Sequence, residues 1–165
     1  MGRLVFVGLG LHDEKGITLR GLELARRADA VFLELYTNPM PSLHLEQLRK
    51  LIGRPIKPVS RKMLEEEEGK RILEEAKKGL AVLLVPGDPF IATTHIDLRI
   101  RAEKLGIKTG VVHGPSIISA AISLSGLQNY RFGRTVTIPY PEMEAYPETP
   151  LQVILENRGR DLHTL

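Results

Sequence analysis

The chain has 165 residues, of which 42% are hydrophobic and 26% charged, with 23 Lys and Arg against 20 Asp and Glu, a formal charge of +3. That length fits one domain or half of a larger enzyme, with apolar content enough for a sizeable core. The charge bias is too weak and the aromatic content, 5%, too low for a nucleic-acid binder, and the absence of Cys excludes disulfides, thiolate catalysis and Cys-based zinc sites.

The opening Met1 to Leu11 sets a basic residue before a short apolar stretch. Gly8 and Gly10 interrupt that stretch and no small-residue cleavage site follows, so no secretory leader is expected. No run approaches the about 20 apolar residues needed to span a bilayer, so a cytoplasmic location without a membrane partner is expected. Leu4 to Val7 predicts a strand, and Thr18 an N-cap for a helix through Ala28 with Leu19, Leu22 and Ala25 at helical spacing. Ala30 to Leu35 predicts a second strand. Ser42 predicts the cap of a helix carrying Leu45, Leu48, Leu51 and Ile52 and stopping at Gly53. Ile56 to Val59 follows as a short strand, then one long charged helix from Lys62 to Lys78, with Glu65 to Glu68 in its solvated first part. Leu80 to Val85 is wholly apolar, the pattern of a central parallel strand covered on both faces.

A further round predicts a loop at Pro86 to Pro89, a helix from Thr93 to Leu105, a strand from Lys108 to Val112, and a helix from the capping Ser116 to Ser125. Arg134 to Pro139 reads as a strand and Thr149 to Asn157 as a helix. Pro139 to Pro150, with four prolines, reads as a linker. The alternation implies an α/β fold, a mostly parallel sheet with helices on both faces and right-handed crossovers.

In such sheets ligands bind outside the carboxyl ends of the strands. Three loops rich in Gly or Pro leave in that direction: Gly8 to Leu11, Pro86 to Pro89, and His113 to Ser116. Taken singly each is an ordinary tight turn; together they point to a small-molecule cleft. The first loop, with Glu34 ending the next strand, invites a dinucleotide reading. Its fingerprint breaks where Asp13 replaces the third glycine, and the helix begins too late to hold a pyrophosphate. A nicotinamide-binding domain is therefore the alternative, not the first choice. No Walker motif occurs. The histidines at 12, 44, 95, 113 and 163 have no metal-ligand spacing, so no metal is expected, though His95 and His113 flank the cleft loops. Without a nucleophile elbow, Ser116 reads as an N-cap. Arg99 and Arg101, on the helix after the Asp88 loop, read chiefly as solvated surface residues.

Val5 to Leu11, Thr18 to Leu22 and Ala28-Asp29, with Leu84 to Pro89, resemble the signatures of the tetrapyrrole-methylase-type (class III) S-adenosylmethionine methyltransferases. Gly87-Asp88-Pro89 followed by Ala92 to His95 and Leu98 to Ala102 narrows this. These, with Glu34 to Thr37, His113 to Ile117 and Gly159 to Leu165, are similar to the archaeal diphthine synthase family. The resemblance covers almost the whole chain, and the sparse Asn and Gln, three of each, agree with a thermophilic source.

The resemblance implies a two-domain fold whose N-terminal α/β domain is residues 1–138. Residues 139–165 would then be a linker and the start of a C-terminal domain lying beyond this chain. It implies a methyltransferase that uses S-adenosylmethionine to methylate, repeatedly, the amino group of the modified histidine of translation elongation factor 2 in diphthamide biosynthesis, working as a homodimer. It assigns cofactor binding to Leu11, Asp88, Ile91, Ser116 and Ile117. A sulfonium methyl needs no acid catalyst, so only a proton acceptor is wanted, and His95 or solvent would serve. A truncated, non-catalytic paralogue that keeps only dimerisation or factor binding is the remaining alternative.

Overall fold

In a parallel strand covered on both faces, successive side chains serve opposite layers, so a continuous apolar run is required. The computed structural model, which describes residues 2–138 and 147–165, has five such strands: β1 (Arg3–Gly8), β2 (Ala30–Glu34), β3 (Ile56–Val59), β4 (Leu80–Val85) and β5 (Lys108–Val112). They form one parallel sheet in the order β3-β2-β4-β1-β5. The chain steps outward through β1, β2 and β3 by way of α1 (Leu19–Arg27) and α2 (Leu45–Ile52). It returns through β4 and β5 by way of α3 (Arg61–Glu65), α4 (Lys70–Lys78) and α5 (Ile96–Lys104). Right-handed crossovers run in opposite directions must place their helices on opposite faces.

The core records that reversal residue by residue. Val5, Val7, Val31, Leu33, Val82 and Leu84 pack with Leu22, Ala25, Leu48 and Ile52 of α1 and α2. Their neighbours Leu4, Phe6, Ala30, Phe32, Ala81 and Leu83 pack with Ile72, Leu73 and Ala76 of α4 and with Leu98 and Ala102 of α5. Burying each Val, Leu, Ile or Phe side chain among these contributes about 1.5–3 kcal/mol. The α/β expectation therefore holds.

Local signals set several boundaries. Thr18 caps α1 through its hydroxyl, which accepts the Gly21 N–H at 3.1 Å. Gly53 ends α2 in the left-handed region at φ 69°. Three expectations need correction. Helix α2 begins after His44, not at Ser42, because the buried Glu14 carboxylate, 30 residues away, accepts the His44 N–H at 3.3 Å and fixes that end. The expected long helix is two helices, α3 and α4, and Glu65 to Glu68 is no first turn of one. Four consecutive like charges repel along a helix, and Glu68 and Gly69 both take positive φ, 58° and 65°. Helix α5 starts at Ile96, not Thr93, because Thr93 donates its hydroxyl to Pro89 O at 2.6 Å and Thr94 donates its own to Glu65 at 3.1 Å.

The chain divides into two compact units, Met1–Ser116 and Ile117–Leu165. The division into 1–138 and 139–165 that the resemblance implies rests on a linker falling mostly on residues 139–146, outside the described residues. The second unit holds α6 (Ile117–Ser125) and α7 (Thr149–Gly159). The strand expected from Arg134 is not formed over 134–138; Phe132 makes an isolated parallel bridge with His163 instead. The Asn157 amide takes both backbone groups of Arg134. Its Oδ1 accepts the Arg134 N–H at 3.0 Å while its Nδ2 donates to Arg134 O at 2.8 Å and to Thr164 Oγ1 at 2.9 Å.

At the carboxyl edge of the sheet the backbones of Gly8 and Gly114 close on the Gly87 carbonyl. A Cβ on Gly114 would lie 2.4 Å from that oxygen and 2.9 Å from Gly8 C. Gly114→Ala is expected to destabilise the chain by about 1–3 kcal/mol, the usual range for overpacking, read as a lower urea midpoint at unchanged slope.

Candidate functional site

Strands β1 and β4 are neighbours, yet β1 leads to α1 on one face of the sheet and β4 leads to α5 on the other. Outside the carboxyl ends of such a pair the chain parts and leaves a crevice. The two departing loops are stitched together first: Gly10 N–H donates to Gly87 O at 3.2 Å and Gly87 N–H to Gly10 O at 2.7 Å. Both glycines need left-handed backbone, φ 77° and 66°, to turn there. A Cβ on Gly87 would meet nothing closer than Leu11 Cδ2 at 3.9 Å and Pro115 O at 4.0 Å. Leu11, Gly87 and Pro115, from three loops far apart in sequence, thus come together with room for a Cβ at Gly87 in ordinary van der Waals contact.

Asp88 follows Gly87 and is buried. Its Oδ1 accepts the Phe90 N–H at 3.0 Å, and its Oδ2 meets Nδ1 of the exposed His113 at 2.8 Å. Each carboxylate oxygen has two acceptor positions, so one on each remains for a ligand's N–H or O–H. Ile91 is exposed three residues further on. Of the residues expected to bind a cofactor, Leu11, Asp88, Ile91 and Ser116 belong to the first unit, and Ile117 opens the second. The first unit's groups are an oriented carboxylate at Asp88, backbone without Cβ at Gly10 and Gly87, and the aliphatic side chains of Leu11 and Ile91.

The other candidates are placed differently. Glu34 is fully buried and its carboxylate is occupied: Oε2 accepts the Tyr36 and Thr37 N–H groups, each at 3.1 Å, while Oε1 accepts the Thr37 hydroxyl and lies 3.1 Å from His95 Nε2. It has nothing to offer a ribose, and Asp13 merely caps the turn Glu14–Gly16 by accepting the Lys15 N–H. The nicotinamide reading loses the support it drew from Glu34. His95 is equally buried, with Nε2 turned to Glu34, so it does not present a free base to the crevice. Tyr36 packs edge-on to His95 with ring centres 6.3 Å apart, and burial pushes its phenol above the usual range. Arg99 pairs with Glu103 and lies over the Phe90 ring, and Arg101 pairs with Glu68, so both are structural.

A cleft of about 230 Å³ opens between α3 and α5, lined by Leu64, Glu65, Thr94, Asp97 and Arg101 with His95 at its wall. No motif signalled it, since its walls come from two helices whose break and start were both misplaced by local pattern. Among the described residues no three His, Asp or Glu side chains stand together where they could hold a metal ion, and no helix is long and apolar enough to cross a membrane.

Residues 3–164 match the family described as Tetrapyrrole (Corrin/Porphyrin) Methylases. The chain is 49% identical over 162 residues to a diphthine synthase of Methanospirillum hungatei and 46% identical to one of Methanocella arvoryzae, covering 98% of this chain in both cases. A crystal structure of a diphthine synthase superposes with a TM-score of 0.89 at 44% identity, covering 98% of this chain and 62% of that one. The chain spans 64% and 63% of the length of the two curated relatives.

The buried carboxylate supplies a test of this geometry. Glu34→Ala leaves two N–H groups and His95 Nε2 without their acceptor, and should lower stability by about 3 kcal/mol or more. Denaturant unfolding measures it, and a loss under about 1 kcal/mol, the range of ordinary surface substitutions, contradicts the described network.

Proposed function

Because the chain belongs to the tetrapyrrole (corrin/porphyrin) methylase family, we propose that it acts as a diphthine synthase. In this reading it moves methyl groups from S-adenosylmethionine to the amino group of the modified histidine of translation elongation factor 2. The observation that carries the reading is the identity to diphthine synthases, 49% along 98% of the chain, supported by the gathering of Leu11, Gly87 and Pro115 beside the oriented Asp88. Cofactor binding by Leu11, Asp88, Ile91, Ser116 and Ile117, a homodimer, a cytoplasmic location and a further C-terminal domain belong to the same proposal.

S-adenosylmethionine, when bound, supplies a methyl group on a positive sulfur with a neutral thioether as leaving group. The chain therefore needs no general acid, and its part is to hold the reacting geometry and exclude water. Asp88 accepts hydrogen bonds from the cofactor's donors, and its own position is secured by the Phe90 N–H and His113. Leu11 and Ile91 provide apolar wall. His95, buried against Glu34, is not placed to take the proton that the attacking amine loses.

Calorimetric titration with S-adenosylhomocysteine should give saturable binding. Asp88→Asn keeps the acceptor for the Phe90 N–H but removes the charge, and should weaken binding about tenfold, the worth of one hydrogen bond to a charged group. Absence of binding by the unaltered chain joined to its C-terminal domain sinks the proposal. Capture of the elongation factor without transfer of radioactive methyl supports the non-catalytic alternative instead.

A further inference from the structure

The segment from Pro86 to Thr94 carries Asp88 and Ile91, and it contains an unusual backbone. Ala92 sits at φ 55°, in the left-handed region that residues with a Cβ rarely occupy. Such a conformation persists only where the surroundings over-determine it. One end of the segment is held by the paired Gly10 and Gly87 backbones. Inside it, Asp88 Oδ1 accepts the Phe90 N–H and Pro89 O accepts the Thr93 hydroxyl. The Phe90 ring packs on Phe6 with centres 5.1 Å apart.

The other end is His95, and its partner lies 61 residues back in the chain. Glu34 is gripped on three sides by its own loop, through the Tyr36 N–H, the Thr37 N–H and the Thr37 hydroxyl. Its remaining acceptor position faces His95 Nε2, with both side chains out of contact with water. A buried polar pair of this kind is satisfied in one arrangement only, and any slip of the loop end leaves His95 Nε2 and the fourth acceptor position of Glu34 unpaired in the interior.

We infer that the Glu34–His95 pair is the anchor that holds the Pro86–Thr94 segment in its binding shape, which makes His95 a positioning residue acting through Asp88 and Ile91. The consequence for cofactor affinity rests on the function proposed above; the anchoring itself does not. Gln offers an amide N–H near the place of Nε2–H, whereas Phe keeps the ring and removes the donor.

In the full chain, His95→Phe should speed hydrogen exchange of the amides from Gly87 to Thr93 about tenfold while β1 and β4 exchange as before, and His95→Gln should restore most of the protection. His95→Phe should also weaken S-adenosylhomocysteine about tenfold and raise KM for the methyl donor, with kcat within about twofold of the original. Exchange that is unchanged, or that rises equally over every strand as for a merely structural core residue, overturns the anchor. Binding that the unaltered chain shows and His95→Phe retains in full overturns its role in positioning, as does a collapse of kcat at unchanged KM. If the unaltered chain binds no cofactor, the proposed function fails, and the exchange result still decides the anchor. Should His95→Phe not fold, Glu34→Gln, which keeps an acceptor for the loop amides and loses the charge, is read by the same two measurements.

Discussion

The approach of the Gly8 and Gly114 backbones to the Gly87 carbonyl, where an added Cβ would stand 2.5 and 2.4 Å away, is the constraint on which the rest of the first unit turns. It lets the ends of β1, β4 and β5, adjacent in the sheet, bring their loops into backbone contact. Side chains at those positions would force the loops apart and widen the crevice beyond hydrogen-bond reach. The three loops are glycine-bearing for the same reason that they are close.

Around that contact the fold sorts its polar groups by burial. Asp88 lies at the edge with one partner exposed and acceptor positions to spare, so it is suited to a ligand. Glu34 and His95 lie deeper and use their capacity on each other and on the β2 loop, so they are suited to holding shape. A carboxylate and an imidazole that look interchangeable in sequence are thus divided between binding and support by desolvation, which makes an unpaired buried charge far costlier than an exposed one. In the second unit Asn157 does comparable work without charge, its amide matching both backbone groups of Arg134.

Sequence alone determined the five strands of the sheet and the α/β class, because continuous apolar runs such as Leu80 to Val85 and glycine or threonine boundaries such as Gly53 and Thr18 act within a few residues. It also determined that Gly8, Gly87, Asp88 and Gly114 belong together, through the rule that loops after parallel strands share one edge. Only the tertiary structure decided what depends on distant partners. Glu14 set the start of α2 from 30 residues away. The hydroxyls of Thr93 and Thr94 took the first turn from α5. Glu34, which local pattern offered to a nucleotide ribose, was claimed by His95 from across the chain. Patterning speaks through the hydrophobic effect, which is non-directional and tolerant of position, whereas a buried hydrogen bond requires one partner at one distance, and that partner is known only once the chain has folded.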